Sequence, residues 1–165
     1  MSPAVECREA CRADLADILR LLAQPEMDDG DVLPLADAER IFDRMARYPD
    51  YRLYVAVVDG RIVGTFALLI MDNLAHQGAP SGVIEDVAVG PEWQGQGIGK
   101  AMMQYALRLC GEKGCYKLAL SSNLKRARAH AFSESLDFER HGYSFRIMPP
   151  SSLSADTAVS LPSLD

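Results

Sequence analysis

Apolar positions recur along this chain in two rhythms. Leu15, Ile18, Leu21 and Leu22 follow Asp14 at helical spacing, and Ile41, Phe42 and Met45 repeat that spacing within residues 37–47, just before Pro49. Two early helices are predicted, the first capped by Asp14. Between them residues 24–36, QPEMDDGDVLPLA, carry two prolines, a glycine and four acids, and predict a loop. Residues 5–10 predict a short opening strand. β-Branched and aromatic residues crowd residues 51–58, and Asp59-Gly60 predicts a hairpin into a second strand over 61–71. A loop with Asn73, Gly78 and Pro80 leads to a strand over 83–89. Ile98, Met102, Ala106, Leu109 and Cys110 mark one face of a later helix, which Gly114 is suited to end in the left-handed conformation. Residues 115–120 predict a short buried strand, 126–136 a helix and 138–147 a last strand, before a Pro/Ser-rich tail over 149–165.

This order is α/β, with a strand-helix-strand crossover over residues 83–120. The crossover contains VGPEWQGQGIGKAMM, residues 89–103, in which Gly95, Gly97 and Gly99 alternate just where the helix begins. Amides in the first turn of a helix have no internal partner and lie at the positive end of its dipole, so such a loop suits a phosphate. The glycines admit close approach and positive φ, while Gln94, Gln96 and Lys100 flank them as donors. The loop is neither of two common phosphate binders. A P-loop requires Ser or Thr after Gly99-Lys100 and finds Ala101, and a dinucleotide fingerprint from Gly95 requires glycine where Lys100 stands.

Composition narrows the partners. The chain has 165 residues, about half apolar, and suits one domain with one core, placed at residues 1–148 with 149–165 as a flexible or dimer-contacting tail. A net charge of -6 argues against a general nucleic-acid surface. The N-terminus lacks the features of a secretory signal, and the longest apolar run, residues 66–71, is far below the ~20 residues of a membrane span. A cytoplasmic protein is expected, without membrane partners. Cys7, Cys11, Cys110 and Cys115 have no metal-ligand spacing; they are expected to be reduced thiols, two of them in the core, and no metal is expected.

Gln94-Gly95-Gln96-Gly97-Ile98-Gly99 resembles the pyrophosphate loop Q/R-x-x-G-x-G/A of the GNAT superfamily of acyl-coenzyme A dependent N-acetyltransferases, and Val87-Ala88-Val89 resembles the strand before it. SSNLKRARAHAFSESLDFERHGYSFRI, residues 121–147, resembles the second half of the same fold. The resemblance spans roughly residues 5–147. It implies a GNAT fold: a mixed sheet of about six to seven strands and about four helices, with a splayed parallel strand pair that binds acetyl-CoA. By the same likeness Val87 and Val89 bond the pantetheine, the amides from Gln94 to Lys100 take the pyrophosphate, and Asn123 meets the pantetheine arm. Ala88, Arg126, Phe132 and Ser133 complete the implied cofactor set, Lys125 and Arg128 being further candidate phosphate contacts. A homodimer is also implied, dimers being common in the family.

Direct transfer needs a deprotonated amine, a polarised thioester carbonyl and a route for the departing thiolate. Glu85 and Asp86 are neighbours in one strand and point to opposite faces; Glu85, expected to share its face with Val83, Val87 and Val89, is preferred as base over Asp86. Ordinary strand carboxylates paired with cations are the alternative. The amide of Val87 is the implied oxyanion donor. Ser133 replaces the tyrosine usual in the family, which leaves Tyr143, Tyr116 or water to protonate the thiolate, or a thiolate that departs without a dedicated acid. Asp137 stands where glycine is common, a position aspartate tolerates in the left-handed region. His76 and His141 are candidate acceptor contacts, and His130 a weaker one. The acceptor is expected to be a small-molecule primary amine held by the 24–36 loop, the early helices and the last strand; the acids around Met27 to Asp31 favour a cationic amine or else only solvate the loop. An acyl-coenzyme A sensor without catalysis and a protein N-acetyltransferase are the alternatives.

Overall fold

The computed structural model of the chain describes residues 3–25, 27–121, 137–139, 141–142 and 144–150. Strand β1 is Glu6–Glu9, followed by a single 3-10 turn and helix α1, Leu15–Leu22. After the acidic loop come α2, Leu35–Met45, and the hairpin of β2, Tyr51–Val58, with β3, Arg61–Met71. Both turn residues of that hairpin have positive φ, 48° at Asp59 and 75° at Gly60, the geometry that matches the twist of two-residue hairpins. β4 is Ser81–Val89, α3 is Ile98–Glu112 and β5 is Leu118–Leu120.

The five strands of the described residues lie in sequence order in one sheet, antiparallel throughout except for the parallel pair β4 and β5. The sheet is therefore mixed, as expected, and helices cover both faces. The last predicted strand is not there: residues 138–139, 141–142 and 144–147 carry no strand, and Phe145 and Ile147 are largely exposed. Alternating apolar residues mark a strand only where a partner edge and a core are at hand. The predicted helix over 126–136 lies outside the described residues.

On one face Tyr54, Phe66, Leu68 and Ile84 pack beneath Ile98, Met102, Ala106 and Cys110 of α3. On the other, Val55 of β2 packs under Leu15 and Ile18 of α1, with Phe42 of α2 at the margin. Phe66, Met102 and Ala106 are completely buried, so the helical and strand periodicities meet in a closed core. Of the four free thiols Cys110 is buried, Cys7 and Cys115 are half-buried and Cys11 is exposed.

Asp14 does not cap α1 with its side chain. It ends the 3-10 turn, and its buried carboxylate accepts the Cys11 amide at 2.8 Å and a bidentate Arg8 guanidinium at 2.7 and 3.0 Å. These bonds tie β1 to the start of α1. The Arg8 bond, reinforced by the Cys11 amide against the opposing effect of burial, holds the Asp14 carboxyl at about 2, below its ordinary 3.8. A depressed carboxyl pKa adds stability that is complete above the unfolded value and disappears as pH falls through the folded one. Urea unfolding between pH 6 and pH 2 should show a loss of up to about 2 kcal/mol from this group, less because water screens the exposed side of Arg8. Asp14→Asn should be less stable at neutral pH and should flatten that acid-side decline.

Candidate active site

The site begins with one extra residue in β4. Thr65 of β3 stands opposite Ala88 and Ala67 opposite Glu85, so Phe66 alone faces both Asp86 and Val87. This is a β-bulge, and Asp86 carries it at φ 53°, a left-handed conformation that aspartate tolerates better than most residues. Before the bulge β4 runs parallel to β5 through Gly82↔Leu118, Val83↔Ala119 and Ile84↔Leu120. Beyond it, among the described residues, no strand lies on the β5 side of residues 85–89. Gly90 donates to Val63 O at 2.8 Å, whereas Val89 O turns away from β3 and accepts the side-chain amides of Gln24 at 3.0 Å and Gln94 at 3.2 Å.

The bulge also corrects the expected facing of the strand. Leu53, Ala67 and Glu85 form one row across the sheet and Val55, Thr65 and Ala88 the next on the same face. Glu85 thus shares the α1 side with Val83 and Ala88, while Val87 and Val89, expected on the same face as Glu85, pack against the α3-side core, Val89 opposite Gly64. An alternation carried through a bulge without the extra residue assigns positions beyond it to the wrong face.

Past Val89 the chain makes a 3-10 turn over Pro91–Trp93 and enters α3 through Gly95 at φ 77° and Gly97 at φ 86°. Ile98, 1% exposed, anchors the helix start in the core. Among the described residues no protein acceptor takes the amides of residues 95–100; the Gln94 amide belongs to the preceding turn, with a long 3.4 Å bond to Pro91 O. Gln96 Nε2 bonds Glu92 O at 2.9 Å and so bridges the loop from outside. Lys100 is exposed in the first helical turn. The result is a row of unpartnered, outward-facing donors at a helix start, which fits a diphosphate.

Three carboxylates and a phenol gather at the bulge. Burial, then the charge of Asp86, raises the Glu85 carboxyl above its ordinary value. Burial, then the charge of Asp28, does the same for Asp86. Tyr51, in the next row from Glu85, is raised first by burial and then by Asp86 and Glu85. Asp28 arrives with the α1–α2 loop, which Gln24 fastens to Val89 O. Glu85, Asp86 and Asp28 have no ion pair among the described residues. The 24–36 loop was expected beside the acceptor, but neither Gln24 nor Tyr51 was singled out in the chain order, because each reaches β4 only through folding.

Some candidates lie elsewhere. His76 stacks on Tyr116, ring centroids 4.0 Å apart, beside the Ser81 end of β4, the end away from the bulge. Neither joins the site, which removes Tyr116 as proton donor. His141 is exposed. Asp137 has φ 65°, the left-handed value expected of it. Asn123, Lys125, Arg126, Arg128, His130, Phe132, Ser133 and Tyr143 lie outside the described residues. Among the described residues no His, Cys, Asp and Glu cluster is arranged to hold a metal, and no helix is long and apolar enough to cross a membrane.

The chain is similar to known proteins in sequence and in fold. The profile of the Acetyltransferase (GNAT) family matches residues 15–138. The chain is 31% identical over 147 residues to glucosamine 6-phosphate N-acetyltransferase of Trypanosoma brucei brucei, covering 87% of this chain and 95% of that protein. It is 29% identical over 136 residues to aminoglycoside N(6')-acetyltransferase type 1 of Stenotrophomonas maltophilia, covering 80% and 84%. The crystal structure of a Trypanosoma brucei acetyltransferase superposes with a TM-score of 0.75 at 31% identity, over 88% of this chain and 100% of that one.

The left-handed residue at the bulge makes a separable prediction. Asp86→Val, β-branched at positive φ, should lose about 1–2 kcal/mol of stability in thermal or urea unfolding. Asp86→Asn, which tolerates that conformation, should unfold within about 0.5 kcal/mol of the parent.

Proposed function

The chain belongs to the GNAT family of acetyltransferases, and from that premise we propose that it moves the acetyl group of acetyl-CoA directly to a primary amine of a small molecule, both substrates being bound together. It is an acyltransferase, and its family uses acetyl-CoA as cosubstrate. The observation that carries the finer reading is that, among the described residues, no strand pairs with the β5 side of residues 85–89, where only Val89 O is taken, by the side-chain amides of Gln24 and Gln94, and that the amides of 95–100 beyond it are unpartnered. An extended amide-bearing arm lies along the first and a diphosphate on the second. Gly95 and Gly97 hold the loop open to phosphate oxygens, and Lys100 adds positive charge.

Glu85 is the base in this reading. Its raised carboxyl is better matched to taking a proton near neutrality than an ordinary glutamate, directly or through one water. The amide of Val87, beside the bulge, polarises the thioester carbonyl as the amine attacks. Collapse of the tetrahedral intermediate breaks the carbon–sulfur bond and releases the thiolate.

The acceptor is a cationic amine. Supporting this are the three clustered carboxylates Glu85, Asp86 and Asp28, which attract positive charge and oppose a phosphate. The Stenotrophomonas relative is named for aminoglycosides and the Trypanosoma relative for a sugar phosphate; the carboxylates of the described rim favour a polycationic acceptor over a phosphate.

Calorimetric titration should show coenzyme A binding to the whole chain, followed by thiol release with an amine panel in which an aminoglycoside or linear polyamine outpaces glucosamine 6-phosphate. Faster turnover of the sugar phosphate would reverse the acceptor reading. Glu85→Gln should lower kcat by about a hundredfold with coenzyme A affinity unchanged. In the parent, activity should rise with pH through an apparent pKa above the ordinary 4.5 of glutamate, because the base must be ionised. Glu85→Gln should lose that limb.

A further inference from the structure

Helix α3 ends in a turn that brings two thiols together. Gly114, at φ 75°, follows the helix, its amide donating to Gly111 O at 3.1 Å while the Cys115 amide donates back to Cys110 O at 2.9 Å. That bond pair defines the Schellman motif, in which the residues joined by the longer-range bond also place their side chains in contact. Here those residues are Cys110 and Cys115, positions most helices fill with two apolar side chains. Both pack against the same core cluster. Disulfides need backbones held about 4.4–6.8 Å apart at Cα, the closeness that such a bond enforces.

The two sulfurs differ in surroundings. Cys110 is 4% exposed and lies against Gly82 of β4, where an added Cβ would meet its sulfur at 2.5 Å. Burial above all, and then neighbouring Cys115, holds its thiol well above the ordinary value. Cys115 is half-buried and so within reach of a small oxidant.

We infer that Cys110 and Cys115 are a redox modification site, converted by peroxides to an intramolecular disulfide at the closed end of the β4–β5 pair. The Cys115 thiolate attacks a peroxide oxygen; the oxygen–oxygen bond breaks, leaving a Cys115 sulfenic acid and one water. The Cys110 sulfur then attacks the sulfenic sulfur, the sulfur–oxygen bond breaks and the oxygen departs as a second water with the Cys110 proton. The two thiols together lose two electrons, and hydrogen peroxide gains them. The bond links the end of α3 to the entry of β5, beside the first rung of the parallel pair, where Gly82 N donates to Lys117 O at 3.0 Å. This site stands on the helix terminus and is independent of the acyl-transfer reading.

Trypsin provides the test, since Lys113 lies between the two cysteines. The folded full chain is treated with hydrogen peroxide, its remaining thiols are alkylated, and it is denatured and digested. The expected product is the peptide of residues 109–113 joined to that of residues 114–117, lighter by two hydrogens than the separate thiol peptides and parted by dithiothreitol. Cys115→Ser, which leaves the buried Cys110 packing intact, should yield no joined peptide and an unoxidised Cys110. The inference is overturned if the two peptides are recovered apart and alkylated while Cys11 alone is oxidised, if Cys115 ends as a sulfinic acid without the cross-link, or if Cys110 oxidises equally well in Cys115→Ser.

Discussion

One surplus residue in β4 governs the geometry of this protein. Two residues, Asp86 and Val87, stand against the single Phe66, and the strand cannot follow both its neighbours beyond that point. It keeps β3, because Thr65, Phe66 and Ala67 are buried core positions, and it leaves the β5 side. The unpaired edge, the approach of the Gln24 side chain to Val89 O and the gathering of carboxylates all follow from that choice. Phe66 is completely buried and cannot shift to absorb the mismatch, so the distortion is expressed on the outer edge.

Charge is then distributed in two opposite regions along the same strand. After Val89, unpartnered amides and Lys100 make a positive pole at the start of α3. At the bulge, Glu85, Asp86 and Asp28 make a negative one, close enough for each to bear on another's ionisation. The amides cost little when empty because the loop is open to water. The carboxylates of Glu85 and Asp86 cost more, since partial burial and then a neighbouring carboxylate disfavour their ionised forms. The left-handed Asp86 thus stands beside a neighbouring carboxylate in the same strand, so backbone strain and charge repulsion coincide at the bulge.

The rest of the fold holds that place still. Ile98, Met102 and Ala106 fix α3 on one face of the sheet, while Leu15 and Ile18 fix α1 on the other. At the end away from the bulge, Gly82 admits the Cys110 sulfur, and backbone bonds from Gly82 to Lys117 and from Tyr116 to Pro80 hold β4 and β5 together. A firmly closed end and an open one are what a splayed strand pair requires.

The linear pattern of residues was enough to place β2, the Asp59-Gly60 turn, β3, the α3 core face and the Gly114 terminus, because each rests on neighbours within a few positions. The same holds for the glycine loop before α3, whose alternating spelling carries its own conformational meaning. It failed at the described residues of 138–147, which carry no strand, and on the facing of Val87 and Val89, where one inserted residue reverses the parity of all that follows. It pointed to the acidic 24–36 loop without singling out Gln24 or Asp28, and it was silent about Tyr51. Hydrogen bonding along a helix or across a tight turn is local and therefore written in order, whereas a bulge is a mismatch between two strands. Only when β3 and β4 are laid side by side does either acquire a register, and with it the edge, the facing and the neighbours that make a site.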